Sequence, residues 1–80
     1  MDTSHLALAD RLKKARENLG WTQQEVADFL GVSRAFVSKV ELGRSLMAAS
    51  KRMVQDFCSG VDRGTVVPAM RPSDQLKVTQ

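Results

Sequence analysis

The segment from residue 22 to residue 44, TQQEVADFLGVSRAFVSKVELGR, constrains the fold of this chain most strongly. Glu25 follows Thr22 by three residues, and at this spacing each side chain can bond a backbone N–H that a helix start leaves unpaired. Gly31 is the residue type that most readily takes the left-handed conformation at a helix end. The segment is therefore predicted to open with a helix of about two turns between Thr22 and Gly31.

A second short helix is predicted directly after the first. Ser33 is a good N-cap, and Val37 and Val40 recur at helical spacing on one face. Val32 is the apolar anchor of the tight turn between the two helices. The opposite face should then carry Arg34, Ala35, Ser38 and Lys39. A helix with such an outer face can enter the major groove of B-DNA and reach base edges and phosphates.

An amphipathic helix is predicted before this segment. Its apolar stripe consists of Leu8, Leu12, Ala15 and Leu19. Thr3 or Ser4 can cap its start, and Gly20 marks its end. Trp21, in the link to the next helix, is predicted to pack against the stripe as a hydrophobic plug.

A fourth helix is predicted after residue 44. Ser45 can cap it, and we expect it to end near Gly60. Its apolar positions again show helical spacing: Leu46, Ala49, Met53 and Phe57. This helix should close the bundle.

The tail from residue 59 differs in composition. Gly60, Gly64, Pro68 and Pro72 interrupt it and exclude a long helix, whereas residues 65–67 favour extended structure. We predict an irregular tail, or a short strand that pairs with a partner subunit, and a loose segment at residues 73–80. The predicted fold is all-α, a compact bundle of four helices, or five elements if the tail is ordered. Residues 1–58 form its domain and residues 59–80 are a candidate dimerisation arm.

Composition and charge limit the classes of function that this chain can have. The chain has 80 residues, enough for one small domain with little room for an active-site cleft. Its net charge is only +3, but residues 33–52 contain five Lys or Arg and one Glu, so the positive charge is concentrated there. The single Cys58 cannot form an internal disulfide, and neither a signal peptide nor an apolar run of about 20 residues is visible. We therefore expect a cytoplasmic protein with no membrane partner.

No catalytic or metal-binding arrangement is visible in the sequence. His5 is the only histidine, and it lies far from Cys58 along the chain. A Gly-rich phosphate loop, paired catalytic carboxylates and a nucleophile motif are all missing from the sequence. The sequence predicts neither enzyme activity nor a cofactor.

The segment from residue 22 to residue 44 resembles the helix-turn-helix of the Cro and phage-repressor family. Members of that family typically read T-Q-x-x-L-A, then L-G-V-S, then R-x-x-[VI]-S-x-[VIL]-E-x-G. The matching positions are Thr22, Gln23, Val26, Ala27, Leu30, Gly31, Val32, Ser33, Arg34, Val37, Ser38, Val40, Glu41 and Gly43. The resemblance covers this segment without a gap.

The resemblance implies roles for individual residues. Gln23 matches a residue that binds a DNA phosphate and braces the recognition helix, which is the second helix of the motif. Arg44 matches a basic loop residue that grips phosphate. Arg16 and Glu41 match a structural ion pair between the first helix and the recognition helix. The base-facing positions of the family correspond to Ser33, Arg34, Ala35, Ser38 and Lys39.

The function implied is sequence-specific binding of double-stranded DNA by a dimeric transcriptional repressor of phage or mobile-element type. Such a protein reads a palindromic operator and controls its own promoter. Many relatives form the dimer with a fifth helix that this chain lacks, so we expect helix 4 and the tail to form the homodimer. An alternative is an antitoxin that neutralises a toxin and represses its own operon. The exposed residues do not exclude an accessory protein that docks on RNA polymerase.

Overall fold

The computed structural model describes residues 4–72, and within them the chain is all-α, as predicted. It contains four α-helices, α1 (Ser4–Leu19), α2 (Gln23–Leu30), α3 (Arg34–Glu41) and α4 (Ala48–Arg63), and a 3-10 helix at Pro68–Met70. The two short helices α2 and α3 and the turn between them form a helix-turn-helix. This confirms the predicted fold class.

Capping residues fix the helix ends on both sides of the turn. The Thr22 hydroxyl accepts a hydrogen bond from the Glu25 N–H at 3.1 Å, and the Thr22 N–H donates to Glu25 Oε1 at 2.8 Å. Gly31 ends α2 in the left-handed conformation, with φ of 74°. At the start of α3, Ser33 Oγ accepts from the Phe36 N–H at 3.1 Å. The predicted caps of these two helices are confirmed.

The core lies where α1 packs against α3 and α4 and where α2 packs against α3. It contains the predicted stripe of α1 together with residues of the other helices: Leu8, Leu12, Ala15, Leu19, Trp21, Val26, Ala27, Val37, Val40, Val54, Phe57 and Cys58. Burying each large apolar side chain contributes about 1.5–3 kcal/mol. The apolar periodicity of the sequence therefore accounts for the packing of the bundle.

Trp21 closes one end of this core. Its side chain is buried, and its ring centroid lies 5.4 Å from that of Phe29 and 6.3 Å from that of Phe57, both in tilted arrangements. Its Nε1 donates to the Pro68 carbonyl oxygen at 3.3 Å, which satisfies the one polar atom of the indole. The prediction of a hydrophobic plug is confirmed.

The predicted ends of α4 were wrong. The helix begins after Met47, which makes no side-chain capping bond, and it continues past Gly60 to Arg63, where Gly64 ends it with φ of 81°. Gly60 does not end the helix. Its lack of a side chain instead leaves room for residues 65 and 66 to pack against α4. A Cβ built there would lie 2.8 Å from Val66 Cγ2. The glycine allows the returning chain to approach α4 closely.

Residues 64–72 fold back onto the bundle. The N–H groups of Thr65 and Val66 donate to the Gly60 carbonyl oxygen at 2.9 and 3.0 Å. Val66 and Met70 then pack against the core. In this part of the described chain the tail is irregular, and the alternative of a short strand is not formed. The predicted loose segment, residues 73–80, lies outside the described residues, and the dimerisation arm stays a prediction.

Candidate nucleic-acid interface

The buried side of α3 determines which of its residues face solvent. Val37 and Val40 are almost fully buried and hold α3 in the core. Side chains three or four residues apart share a helix face, so the positions between them turn outward. The structure places the five candidate base-reading residues along this outer side and N-terminal end, all exposed except the half-buried Ser38: Ser33, Arg34, Ala35, Ser38 and Lys39.

The cations of this surface are available to a ligand. The side chains of Arg34, Lys39 and Arg44 are exposed, and none of them pairs with a carboxylate of the described residues. Ser33 Oγ accepts the capping bond from Phe36, and a hydroxyl that accepts one bond can still donate another. The arrangement can therefore offer several hydrogen-bond donors and positive charge to an anionic or acceptor-rich partner.

Glu41 joins α3 to the elements around it. Arg16 Nε donates to Glu41 Oε2 at 2.7 Å and Arg16 Nη2 donates to Glu41 Oε1 at 3.1 Å, so the pair is bidentate. Arg16 Nη1 also donates to the Trp21 carbonyl oxygen at 3.1 Å. Only 18% of the Arg16 side chain and 5% of the Glu41 side chain are exposed. The two residues thus meet where α1 and the end of α3 converge.

In this network the positive charge of Arg16 lies directly against the carboxylate of Glu41. The hydrogen bond from Arg16 to Glu41 raises the pKa of Arg16 above its ordinary value, against the opposing effect of partial burial. A bidentate Arg–carboxylate pair combines a fixed geometry with charge-assisted hydrogen bonds. The pair therefore holds α1 against the end of α3, and neither side chain is directed outward with the α3 surface.

Gln23 belongs to the same network. Its Nε2 donates to Glu41 Oε1 at 3.1 Å, which holds the side chain of the first residue of α2 against the end of α3. The amide nitrogen carries two hydrogens, so one remains available after this bond. The resemblance implied that Gln23 braces the recognition helix, but the sequence did not identify Glu41 as the residue it contacts.

Arg44 lies just beyond α3. Its backbone N–H donates to the Lys39 carbonyl oxygen at 3.2 Å, and the preceding Gly43 has φ of 80°. The side chain of Arg44 is exposed in the loop that leads to α4. Gln23 and Arg44 therefore both lie toward the C-terminal end of α3, whereas Arg34 lies at its start.

The structure divides the basic segment of residues 33–52. Arg34, Lys39 and Arg44 belong to α3 and the loop after it. Arg52 instead lies on α4, where it lines a groove together with Phe29 of α2. The sequence placed these cations in one charged run, but α4 carries its part of that run to a different surface.

Arg71 is a residue that the sequence did not single out. Its Nη2 donates to the Gly20 carbonyl oxygen at 2.9 Å, and its Nε lies 3.2 Å from Glu25 Oε2. The geometry of the second contact is that of an ion pair and not of a hydrogen bond, because Nε has no hydrogen-bond partner. The contact ties the end of the described tail to the start of α2, and no local pattern could have indicated it.

Other reactive groups are not arranged for chemistry. Cys58 is fully buried, and burial raises the pKa of its thiol to about 11, so the thiol is protonated at neutral pH. Among residues 4–72, no three His, Cys, Asp or Glu side chains form a group that could hold a metal ion. In that same range, no helix has both the length and the apolar character needed to cross a membrane.

Two comparisons with known proteins found matches to this chain. The model of a helix-turn-helix domain family matches residues 7–68. A curated relative, the SPbeta prophage-derived uncharacterized HTH-type transcriptional regulator YonR of Bacillus subtilis (strain 168), is 47% identical over 36 residues. This alignment covers 45% of the chain and 33% of the relative, so the similarity extends over about a third of the relative's length. No solved structure matches the chain.

Proposed function

Since the chain belongs to the helix-turn-helix domain family, we propose that it is a sequence-specific regulator of transcription that inserts α3 into the major groove of double-stranded DNA. The observation that carries this proposal is the outer side of α3, where exposed cations without partners among the described residues stand beside small side chains. An α-helix of this kind fits the width of the major groove. The buried Val37 and Val40 leave that side free for DNA.

The proposed contacts follow from the chemistry of each side chain. Arg34 can donate two hydrogen bonds to O6 and N7 of a guanine, and Ala35 can touch a thymine methyl group. Ser33, Ser38 and Lys39 can reach neighbouring bases or the flanking backbone. Gln23 and Arg44, toward the other end of α3, can bind phosphates, which fix register and supply affinity without reading the sequence.

The regulator is proposed to act as a dimer. One α3 spans only about 12 Å, which is too short to read a long site. Two copies related by a two-fold axis would place their recognition helices about 34 Å apart on a palindromic operator. The name of the relative associates it with a prophage, which supports a phage or mobile-element type of regulator. We propose that the protein represses its own promoter by occupying it.

A footprint on the DNA upstream of its own gene tests this function. Arg34→Ala should weaken operator binding by about 1–3 kcal/mol and relax selectivity at one base position, because a bidentate base contact is lost. Arg44→Ala should weaken binding to all sequences alike, since it removes a phosphate contact. Arg63→Ala is the control, because it removes an exposed arginine of α4 outside the α3 surface. Equal loss at every sequence for Arg34→Ala would contradict base reading, and no protected DNA would contradict the function.

A further inference from the structure

A groove opens between the C-terminal end of α2 and α4, and no residue of α3 lines it. Its volume is about 580 Å³. Its walls are mostly apolar, and Val66 of the returning tail contributes to them. The apolar side chains that line it are Phe29, Leu30, Ala49, Met53, Phe57 and Val66. None of the candidate DNA-contacting residues lies in this lining.

The opposite side of α4 packs against α1. Across that contact, Arg11 Nη2 donates to Ser59 Oγ at 3.2 Å and lies 3.3 Å from Asp62 Oδ2. Val54 and Cys58 of α4 are buried in the core on this side. On the side of α4 that faces the end of α2, Phe57 is buried at the base of the groove, whereas Ala49, Arg52 and Asp56 are exposed.

Two opposite charges stand in the lining of this groove. Arg52 and Asp56 are both exposed and lie four residues apart on α4. Neither pairs with an oppositely charged side chain of the described residues. Within one helix, a cation that precedes an anion by four residues is the less favourable order for a pair. Both charges are thus available to a partner that presents the reverse pair.

We propose that a second copy of this chain docks on this groove about a two-fold axis. In such an interface a residue that contacts a second residue is contacted by it in turn. Arg52 of each copy would meet Asp56 of the other, which forms two reciprocal ion pairs around a shared apolar centre. The same surface supplies both charges and an apolar area, so its charge pattern is complementary to that of a second copy.

This inference rests on the proposed function, since it identifies the surface that joins the two copies of the regulator. A dimer interface commonly buries about 800 Å² on each partner. The groove would form its centre, with the flanking turns of α4 and the returning tail around it. Because α3 contributes nothing to the lining, both α3 surfaces would remain free for DNA.

Charge reversal tests the proposal in the absence of DNA. Sedimentation equilibrium should show a dimer for the wild type, and Arg52→Asp and Asp56→Arg should each raise the dimer dissociation constant by about tenfold or more, because like charges then face each other. An equimolar mixture of the two variants should restore a dimer, since both pairs become attractive. The double variant, with both reversals in one chain, should also dimerise.

Two further variants test whether the effect is specific to the groove. Lys13→Asp makes the same charge change at an exposed position of α1, which contributes no residue to the groove, so its dimer should match the wild type. Ala49→Glu places a carboxylate in the groove from the first turn of α4, where a negative charge favours the helix, and it should weaken the dimer while the thermal melt stays near that of the wild type.

The outcomes separate this surface from DNA binding. A wild type that is monomeric at all concentrations, unchanged dimers in the single variants, or a mixture that fails to dimerise would each overturn the proposal. A dimer that responds as expected but protects no DNA would leave the interface standing and remove the proposed function. Retention of weak half-site binding by a folded, monomeric Arg52→Asp variant would support both.

Discussion

Glu41 shows how a single side chain holds the candidate DNA-binding helix in place. It accepts hydrogen bonds from Arg16 of α1 and from Gln23 at the start of α2. Only 5% of its side chain is exposed, so hydrogen bonds from these partners replace the hydration that the carboxylate loses on burial. The orientation of α3 therefore rests on a buried ion pair as well as on apolar packing.

Arg16→Ala should lower the free energy of unfolding by about 3 kcal/mol, because it leaves the buried Glu41 carboxylate without its cation. Urea unfolding followed by circular dichroism measures this loss. Lys14→Ala is the control: the pair of Lys14 and Asp10 is exposed at 71% and 64%, and such pairs contribute about 0–1 kcal/mol. An Arg16→Ala midpoint equal to that of the wild type would contradict a structural role for the pair.

Cys58 should make stability depend on pH in the alkaline range. Burial raises its pKa from 9.0 to about 11, so between these values the unfolded chain loses the thiol proton while the folded chain keeps it. The free energy of unfolding should therefore fall as the pH rises through this window, by up to about 1.4 kcal/mol per pH unit. Urea unfolding of the wild type and of Cys58→Ala across the window measures the difference, and equal slopes would show that the thiol does not contribute.

At the scale of elements, the link between α4 and the returning tail depends on a missing side chain. Gly60 lies inside α4, and its carbonyl oxygen accepts from the N–H groups of Thr65 and Val66. Val66 thereby packs beside the helix and contributes to the wall of the α4 groove. The same glycine that weakens the helix by propensity allows the tail to return.

Gly60→Ala should destabilise the protein by about 1–3 kcal/mol, although alanine is the better helix former. The added Cβ would lie 2.8 Å from Val66 Cγ2 and 3.1 Å from Thr65 Oγ1, so the tail would have to move. Thermal or urea unfolding measures the loss. In a Val66→Ala background the same substitution should cost clearly less, and an equal cost in both backgrounds would show that this contact is not its cause.

For the whole molecule, the structure separates two surfaces that the sequence places in one basic segment. The outer side of α3 carries Arg34 and Lys39, and the groove between α2 and α4 is lined by Arg52 and Asp56. In the proposed dimer, the α3 surface would bind DNA while the groove binds a second copy. A rigid dimer of this kind would fix the distance between its two recognition helices.

That fixed distance predicts a strict spacing of half-sites. Insertion of about five base pairs, half a helical turn, at the centre of the operator should turn one half-site away from its recognition helix and lower affinity to that of a single half-site. Gel-shift titration of the spaced operators measures the effect. The unspaced operator at raised salt is the control, where affinity should fall through lost phosphate contacts alone. Unchanged affinity on the spaced site would contradict a rigid dimer.

The sequence alone determined the helices, their caps at the turn and the apolar stripe, because these depend on residues three or four positions apart. It also indicated the outer residues of α3, since burying Val37 and Val40 leaves one side exposed. Only the tertiary structure showed that Gly60 receives the returning tail, that Arg52 lines the groove and that Arg71 contacts the start of α2. The residues that these three contact come from distant segments of the chain. The sequence around a glycine or an arginine does not reveal such contacts, because it is the same whether the residue faces solvent or packs against another segment.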